Sequence, residues 1–212
     1  TVPSKFKIGI SNGTPSVADT DLDYAVPIEN GTVIDNGDQV FTGSSGGDNS
    51  TDNSTTYKEG AGQSEGKSQN LIGNATNVNK IWTLTPLTAS YTASQPFAFW
   101  LYVKDATALA KLVSFNLKIR TSGDAANKYY EQTWLVAVLA SGWNWCTSNT
   151  GLVSAMTQGA GGAPSGALNE IILTAVTNNA TDTFVAGDLL YELMRQWATT
   201  DLTNTFVSGY PA

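Results

Sequence analysis

The chain contains no histidine and only one cysteine, Cys146. Without imidazole, a Ser/His/Asp or Cys/His catalytic arrangement is excluded, and so is any histidine-ligated metal site. A lone cysteine can neither close an internal disulfide nor build a multi-thiolate zinc or iron-sulfur centre. Flanked by Trp145 and Thr147 on an expected strand, Cys146 reads as a buried structural thiol. Charge is also sparse: 11 Lys and Arg stand against 18 Asp and Glu, a formal net charge of -7, and no basic cluster interrupts that balance. A phosphate backbone or an anionic membrane therefore finds no electrostatic counterpart. No run approaches the roughly 18 consecutive apolar residues of a membrane helix, and Thr1 is not followed by a basic and then an apolar leader. The expectation is a soluble chain with no nucleic-acid or membrane partner. Its chemistry is confined to carboxylates and to hard cations held by oxygen.

What is present is alternation. Phe97, Phe99, Leu101 and Val103 alternate with Ala98, Trp100, Tyr102 and Lys104, and Phe115, Leu117 and Ile119 with Asn116, Lys118 and Arg120, a period of two that buries one face of a strand. With 41% hydrophobic content in 212 residues, the chain can bury one substantial β core. Further strands are expected at Gln69 to Ile72, Lys80 to Leu84, Tyr129 to Leu139, Trp143 to Ser148 and Glu170 to Thr177. Asp105 to Leu112 reads as a short helical turn capped by Asp105. For Gly187 to Met194 the residues leave two readings open, because Leu189, Leu190, Leu193, Met194 and Trp197 also fit helical spacing.

Before Tyr57 the pattern is weaker. Short extended pieces at Phe6 to Ile10, Tyr24 to Ile28 and Gln39 to Phe41 are punctuated by Asn12-Gly13, Asn30-Gly31 and Asn36-Gly37, which are turn signals. Gly43 to Thr56 is almost devoid of apolar side chains and reads as an exposed loop or linker. The expected organisation is an extended section and polar loop over 1–56, serving as an assembly arm or small β subdomain, a sandwich over 57–197, and a tail over 198–212. Gln158 to Gly166, rich in Gly and Ala, lacks the setting and the lysine of a phosphate loop.

Three constellations could carry chemistry. Alternation places Trp100 and Tyr102 opposite the core face, with Tyr129, Tyr130, Trp143 and Trp145 able to lie nearby. Aromatic rings stack on the apolar faces of sugars, so Trp100, Tyr102 and Trp143 form a candidate glycan platform, unless they are buried under loops or in subunit contacts. Asp48, Ser50, Asp52, Ser54, Thr56 and Glu59 match the ligand spacing of an EF-hand loop, but Asn53 stands where that loop needs glycine and no flanking helices are expected. Glu131, Glu170 and Glu192 could pair for glycoside hydrolysis, although solvated carboxylates on strands are the ordinary explanation. Asn-x-Ser/Thr triplets at Asn12, Asn30, Asn49, Asn53, Asn74 and Asn179 are of the number that so Asn-, Ser- and Thr-rich a chain produces by chance.

The order of motifs adds a resemblance. The succession Tyr57-Lys-Glu-Gly60, the alternating strand ending FWLYVKD, a second strand ending in Arg120, TSGDAANKYY, the GWN turn and a closing hydrophobic strand opened by Asp188 resembles the jelly-roll, carbohydrate-binding-module-like sandwiches of tailed-bacteriophage structural proteins. It spans roughly Tyr57 to Arg195. KIGISNGTPSVADTDLDYAVPI is similar to N-terminal segments of phage structural and fibre proteins. The resemblance implies an all-β jelly roll with a closing strand rather than a helix. It further implies a non-enzymatic virion-surface protein that decorates or cements a capsid as a homo-oligomer, with the major capsid protein and copies of itself as partners. Trp197, Phe206 and Tyr210 are the expected assembly contacts. No cofactor is expected unless a structural calcium is held by Asp188 and Glu59, as jelly-roll modules often do; the paired acidic residues of such modules are here the single Asp188 after Gly187. The alternatives are a carbohydrate-binding or receptor-recognition module, and a head-fibre or tail component.

Overall fold

A computed structural model describes residues 32–43, 47–57, 67–74, 76–87, 89–148 and 152–196. They form two antiparallel sheets packed face to face. In chain order the strands are β1 (Thr32–Asp35), β2 (Thr42–Gly43), β3 (Asn49–Asn53), β4 (Ser68–Ile72), β5 (Asn79–Leu84), β6 (Phe97–Val103), β7 (Leu112–Arg120), β8 (Tyr130–Leu135), β9 (Gly142–Thr147), β10 (Thr157–Gln158), β11 (Glu170–Thr177) and β12 (Leu189–Gln196), with helix α1 (Ala106–Lys111) between β6 and β7. The first sheet runs β3-β4-β12-β6-β9, with β1 added alongside β12; the second runs β10-β8-β7-β11-β5-β2. This is an all-β jelly-roll sandwich: its sheets are what the alternation predicts, and the jelly roll is what the resemblance implies.

The core lies between the sheets and is rich in rings. Phe97, Phe99, Leu101 and Val103 of β6 and Phe115, Leu117 and Ile119 of β7 are fully buried, as their period of two requires. Phe99 sits at the centre, its ring 5.4 Å from that of Trp134, 5.7 Å from Tyr191, 6.3 Å from Phe115 and 6.4 Å from Phe97. Cys146 is buried on the inner face of β9, where burial pushes its thiol pKa far up and leaves it unreactive. Asp105 caps α1 as expected, its Oδ1 accepting from the Ala108 amide at 2.9 Å. Asp105→Ala should cost about 1 kcal/mol, read as a lower urea midpoint at unchanged slope.

The sandwich begins well before residue 57, which corrects the expected boundary: β1 and β3 belong to one sheet and β2 to the other. The polar stretch 43–56, expected as a loop, carries β3. Its strand is held by polar contacts rather than apolar alternation. On its inner side Ser50 Oγ accepts from the Phe41 amide at 2.6 Å and donates to Gln69 Oε1 at 3.2 Å, while Gln69 Nε2 donates to Asp52 Oδ1 at 2.7 Å. Asp48 Oδ2 accepts from the Ile81 amide at 3.0 Å, tying the entry of β3 to the other sheet. Such a strand cannot carry the EF-hand geometry that the Asp48 to Glu59 spacing suggested.

The closing segment is strand β12, with all eight residues buried. Two bulges meet on it. Against β6, Glu192 pairs with Trp100 and Arg195 with Ala98, so β12 spends one extra residue there; against β1, Arg195 pairs with Val33 and Met194 with Asp35, so β1 spends one extra. Leu193, at φ 43, sits in the β12 bulge in the left-handed region that a leucine rarely adopts. The bulge sends Glu192 and Leu193 in succession to the outer face and returns Met194 to the core. It is the structural origin of the site below.

Candidate aromatic site on the outer face of the first sheet

β6 and β9 form the end of this sheet, and their register fixes which side chains meet. Trp100 pairs with Trp145, Tyr102 with Trp143 and Ala98 with Thr147. The Ser148 amide donates to the Phe97 carbonyl at 3.3 Å, which marks Phe97 opposite Ser148 as a hydrogen-bonded position. By alternation, Trp100/Trp145 and Tyr102/Trp143 fall at non-hydrogen-bonded positions, where facing side chains come closest. The rings accordingly contact: Trp100 and Trp145 have centroids 4.6 Å apart at 55°, and Tyr102 and Trp143 5.1 Å apart at 52°. The two pairs lie one above the other along the strands, on the face turned away from the core.

The four rings are not equally open. Trp100 is 2% exposed, whereas Tyr102, Trp143 and Trp145 are half-buried. Trp100 and Leu193 form a small buried cluster of their own, against which Val33, Trp143 and Trp145 pack. Trp100 is thus the floor of the site and not part of its surface, a correction to its expected role in the platform. Beside it on β12, Leu190, Glu192 and Arg195 face the same way and are also buried, so the open part of this face is the β6–β9 end. Trp145, which alternation suggested only as a neighbour, belongs among the surface rings in place of Trp100. The row on β6 continues past Tyr102 to Lys104, whose Nζ lies 3.3 Å from Asp188 Oδ1.

The other expected site residues are placed apart from these rings or fall outside the described residues. Asp188 pairs with Lys104 and, at 3.7 Å, with Lys111, and its Oδ2 accepts from the Val185 amide at 3.2 Å. Two ammonium groups therefore already supply the countercharge that a cation would bring. Glu59, and the assembly contacts Trp197, Phe206 and Tyr210, lie outside the described residues. Among the described residues no group of three or more His, Cys, Asp and Glu could hold a metal ion, and no helix is long and apolar enough to cross a membrane. Tyr129 is on the other sheet's side, under Lys118 Nζ at 4.2 Å. Glu131 pairs with Lys118 at 3.7 Å and Glu170 with Arg120 at 2.8 Å on the second sheet, while Glu192 lies on the first, so the three carboxylates do not converge.

No protein-family model matches the chain, and no curated protein matches it in sequence. Among solved structures, it is similar to a family 11 carbohydrate-binding module from Clostridium thermocellum in complex with a β-1,3-1,4-mixed-linked tetrasaccharide (TM-score 0.47, 11% identity, covering 77% of this chain and 93% of that one). It is similar to the same extent to the family 11 module of a cellulosomal cellulase of Clostridium thermocellum (TM-score 0.47, 11% identity, 78% and 93% covered). A third likeness is to SGBP-B from a xyloglucan utilization locus in Bacteroides uniformis (TM-score 0.41, 13% identity, 80% and 49% covered).

Proposed function

We propose that this chain is a non-catalytic glycan-binding module whose ligand stacks on Tyr102, Trp143 and Trp145. The observation that carries this is the pair of cross-strand ring contacts at the open end of one sheet, with three half-buried rings supported from below by a buried fourth. Rings so braced lose little conformational freedom when a pyranose face settles on them, and their flat apolar surface suits the C–H face of a sugar. Lys104, with its side chain half exposed at the end of the row, is placed to donate to a hydroxyl.

Isothermal titration with a panel of neutral oligosaccharides tests the reading. Binding to at least one of them is expected, and Trp143→Ala and Trp145→Ala should each weaken it about 30-fold, corresponding to the ~2 kcal/mol of an aromatic anchor. Both variants should keep the wild-type circular dichroism, because neither ring belongs to the main core. If no sugar in the panel binds, or if both variants bind as wild type does, the proposal is wrong.

A second reading, a virion-surface protein that decorates a capsid or forms part of a head fibre or tail, is favoured by a different feature. Leu135 and Val138 are 58% and 70% exposed at the end of β8 and on the connection into β9, an apolar ridge on the edge of the sandwich. Such a ridge suits a contact with a capsid protein or a second copy better than it suits a sugar. Mass spectrometry of purified particles distinguishes the settings: finding the chain absent from virions would remove this one.

A further inference from the structure

The inner and outer sides of β1 face two different environments. On the outer side Val33 packs on the Trp100–Leu193 pair, the floor of the aromatic site. On the inner side, two residues on, Asp35 is fully buried between the sheets. Its Oδ2 accepts from the Gly37 amide at 3.1 Å, but its Oδ1 ends with no hydrogen-bond partner, as do the buried hydroxyls of Tyr91 and Tyr191. These oxygens sense one another electrostatically, and the Tyr191 phenol is close enough to help hold the Asp35 carboxyl although it falls outside strict hydrogen-bond geometry. The other charged group facing Asp35 is Asp38, on its own segment; β12 offers the neutral Tyr191, the segment before β6 the neutral Tyr91, and β4 the neutral Gln69, whose Nε2 donates to the Gly37 carbonyl at 3.0 Å. No cation faces it among these groups. Burial accordingly raises the Asp35 pKa from 3.8 to about 7, the nearby Asp38 adding to the rise and the Tyr191 and Gly37 contacts opposing it.

We propose that β1 is a proton-controlled latch on the aromatic site: Asp35 acts as a positioning residue whose neutral form seats β1 against β12, and Val33 transmits that seating to Trp100 and thence to Trp145. The joint is narrow. β1 has four residues, it meets β12 at Thr32, Val33 and Asp35, and the extra residue between Val33 and Asp35 falls opposite the step from Arg195 to Met194, next to the strained Leu193. Ionising a carboxyl buried without a cation drives it toward water, and its strand can follow only by lifting from β12. Lifting β1 withdraws Val33 from Trp100, loosening the floor on which Trp145 rests. Bulges with strained residues are bistable places of this kind, since a one-residue slip exchanges one packing for another.

The consequence for ligand binding rests on the glycan reading; the latch does not, and the experiment separates them. The chain labelled with 5-fluorotryptophan, its six indoles assigned by single Trp→Phe variants, is titrated by fluorine NMR from pH 5 to 9 without ligand. The Trp100 and Trp145 signals should move together with a midpoint near 7, while that of Trp82, held by the Asn49 and Ile72 carbonyls at 3.0 Å each, stays fixed. In Asp35→Asn, which mimics the neutral carboxyl, both signals should remain at their acid positions throughout. In Val33→Ala, which cuts the transmission and leaves Asp35 in place, the Trp100 signal should lose most of its response, so the proposal stays testable even if Asp35→Asn folds poorly. Titration of both signals in Asp35→Asn as in wild type, an undiminished response in Val33→Ala, or no movement in the wild type would each overturn the latch. A second arm measures an oligosaccharide that binds at pH 5.5: affinity should fall at pH 8.5 in wild type and not in Asp35→Asn. Absence of any bound sugar would count against the glycan reading alone.

Discussion

Phe99→Ala should cost ~3–5 kcal/mol of unfolding free energy. The ring is fully buried and meets four others, from both sheets: Phe97 on its own strand, Tyr191 on β12, and Phe115 and Trp134 on β7 and β8 across the core. Removing it loses the transfer free energy of the ring and leaves a cavity that its neighbours cannot fill without leaving their own rotamers. Both sheets are twisted arrays pinned by hydrogen bonds, so collapse around the gap is limited. A domain of this size is stable by only ~5–15 kcal/mol, which makes such a loss a large fraction of the whole. Urea denaturation followed by tryptophan fluorescence would show it as a fall in midpoint at nearly constant slope. Phe99→Leu, which keeps most of the volume, should recover the greater part. A loss below 1 kcal/mol for the alanine variant would mean that the ring is not at the centre of the core.

Most of the strands that carry this core were legible because their inward positions hold the apolar residues of the core. β6 and β7 announce themselves by alternation, and the observed limits of these strands and of β9 and β11 differ from the expected ones by a few residues at most. β12 was ambiguous for a reason the structure makes plain. Both its faces are buried, so Leu189, Leu190, Leu193 and Met194 are all apolar, and the bulge at Leu193 shifts the later pair out of a strict period of two. A buried strand with a bulge reproduces the spacing of a helix. β3 was missed for the opposite reason: Asn-Ser-Thr-Asp-Asn carries no apolar residue, and its place depends on the Phe41 and Ile81 amides, which donate to Ser50 and Asp48, and on the Gln69 side chain, which accepts from Ser50 and donates to Asp52, all distant in sequence.

The aromatic site was legible in part. Alternation says which way Trp100 and Tyr102 point, and it did so correctly, but it says nothing about what packs over them. Trp100 is buried with Leu193, which the β12 bulge puts beside it, and Val33 of β1 packs against that pair, from 93 and 67 positions away respectively. Asp35 carried no signal at all in sequence. In TVIDNG it looks like a turn residue before Asn36-Gly37, and only the pairing of β1 with β12 shows that it points inward among Tyr91 and Tyr191. Residues whose role is set by the strands placed against them are not recoverable from local pattern.

Asp35 should also dominate the dependence of stability on pH. Its pKa in the fold, about 7, lies above the ordinary 3.8, so the folded state holds the proton more tightly than the unfolded chain. The sign follows from linkage: the stabilisation is fully present below about pH 4, declines as pH rises through the interval between 3.8 and about 7, and is gone above it. At ~1.4 kcal/mol per pH unit, the loss across that interval is ~4 kcal/mol as an order of magnitude, and it needs no discount for solvent screening because the carboxyl is buried. Asp124 works in the other direction. Held below its ordinary pKa by the Ser165 hydroxyl and amide at 2.6 and 2.8 Å, it contributes stability present above about pH 4 and lost as pH falls further, a small effect at an exposed site. The two limbs place the stability maximum at mildly acidic pH, on the acid side of neutrality. Urea midpoints measured from pH 3 to 8.5 should therefore fall from about pH 4 to about pH 7 and level off above it. In Asp35→Asn the fall should flatten, with stability above pH 7 exceeding that of wild type, since the amide fills the same space without a charge to desolvate. A wild-type curve that instead rises from pH 5 to 8, or an equally steep fall in the asparagine variant, would show that the buried carboxyl does not set this dependence.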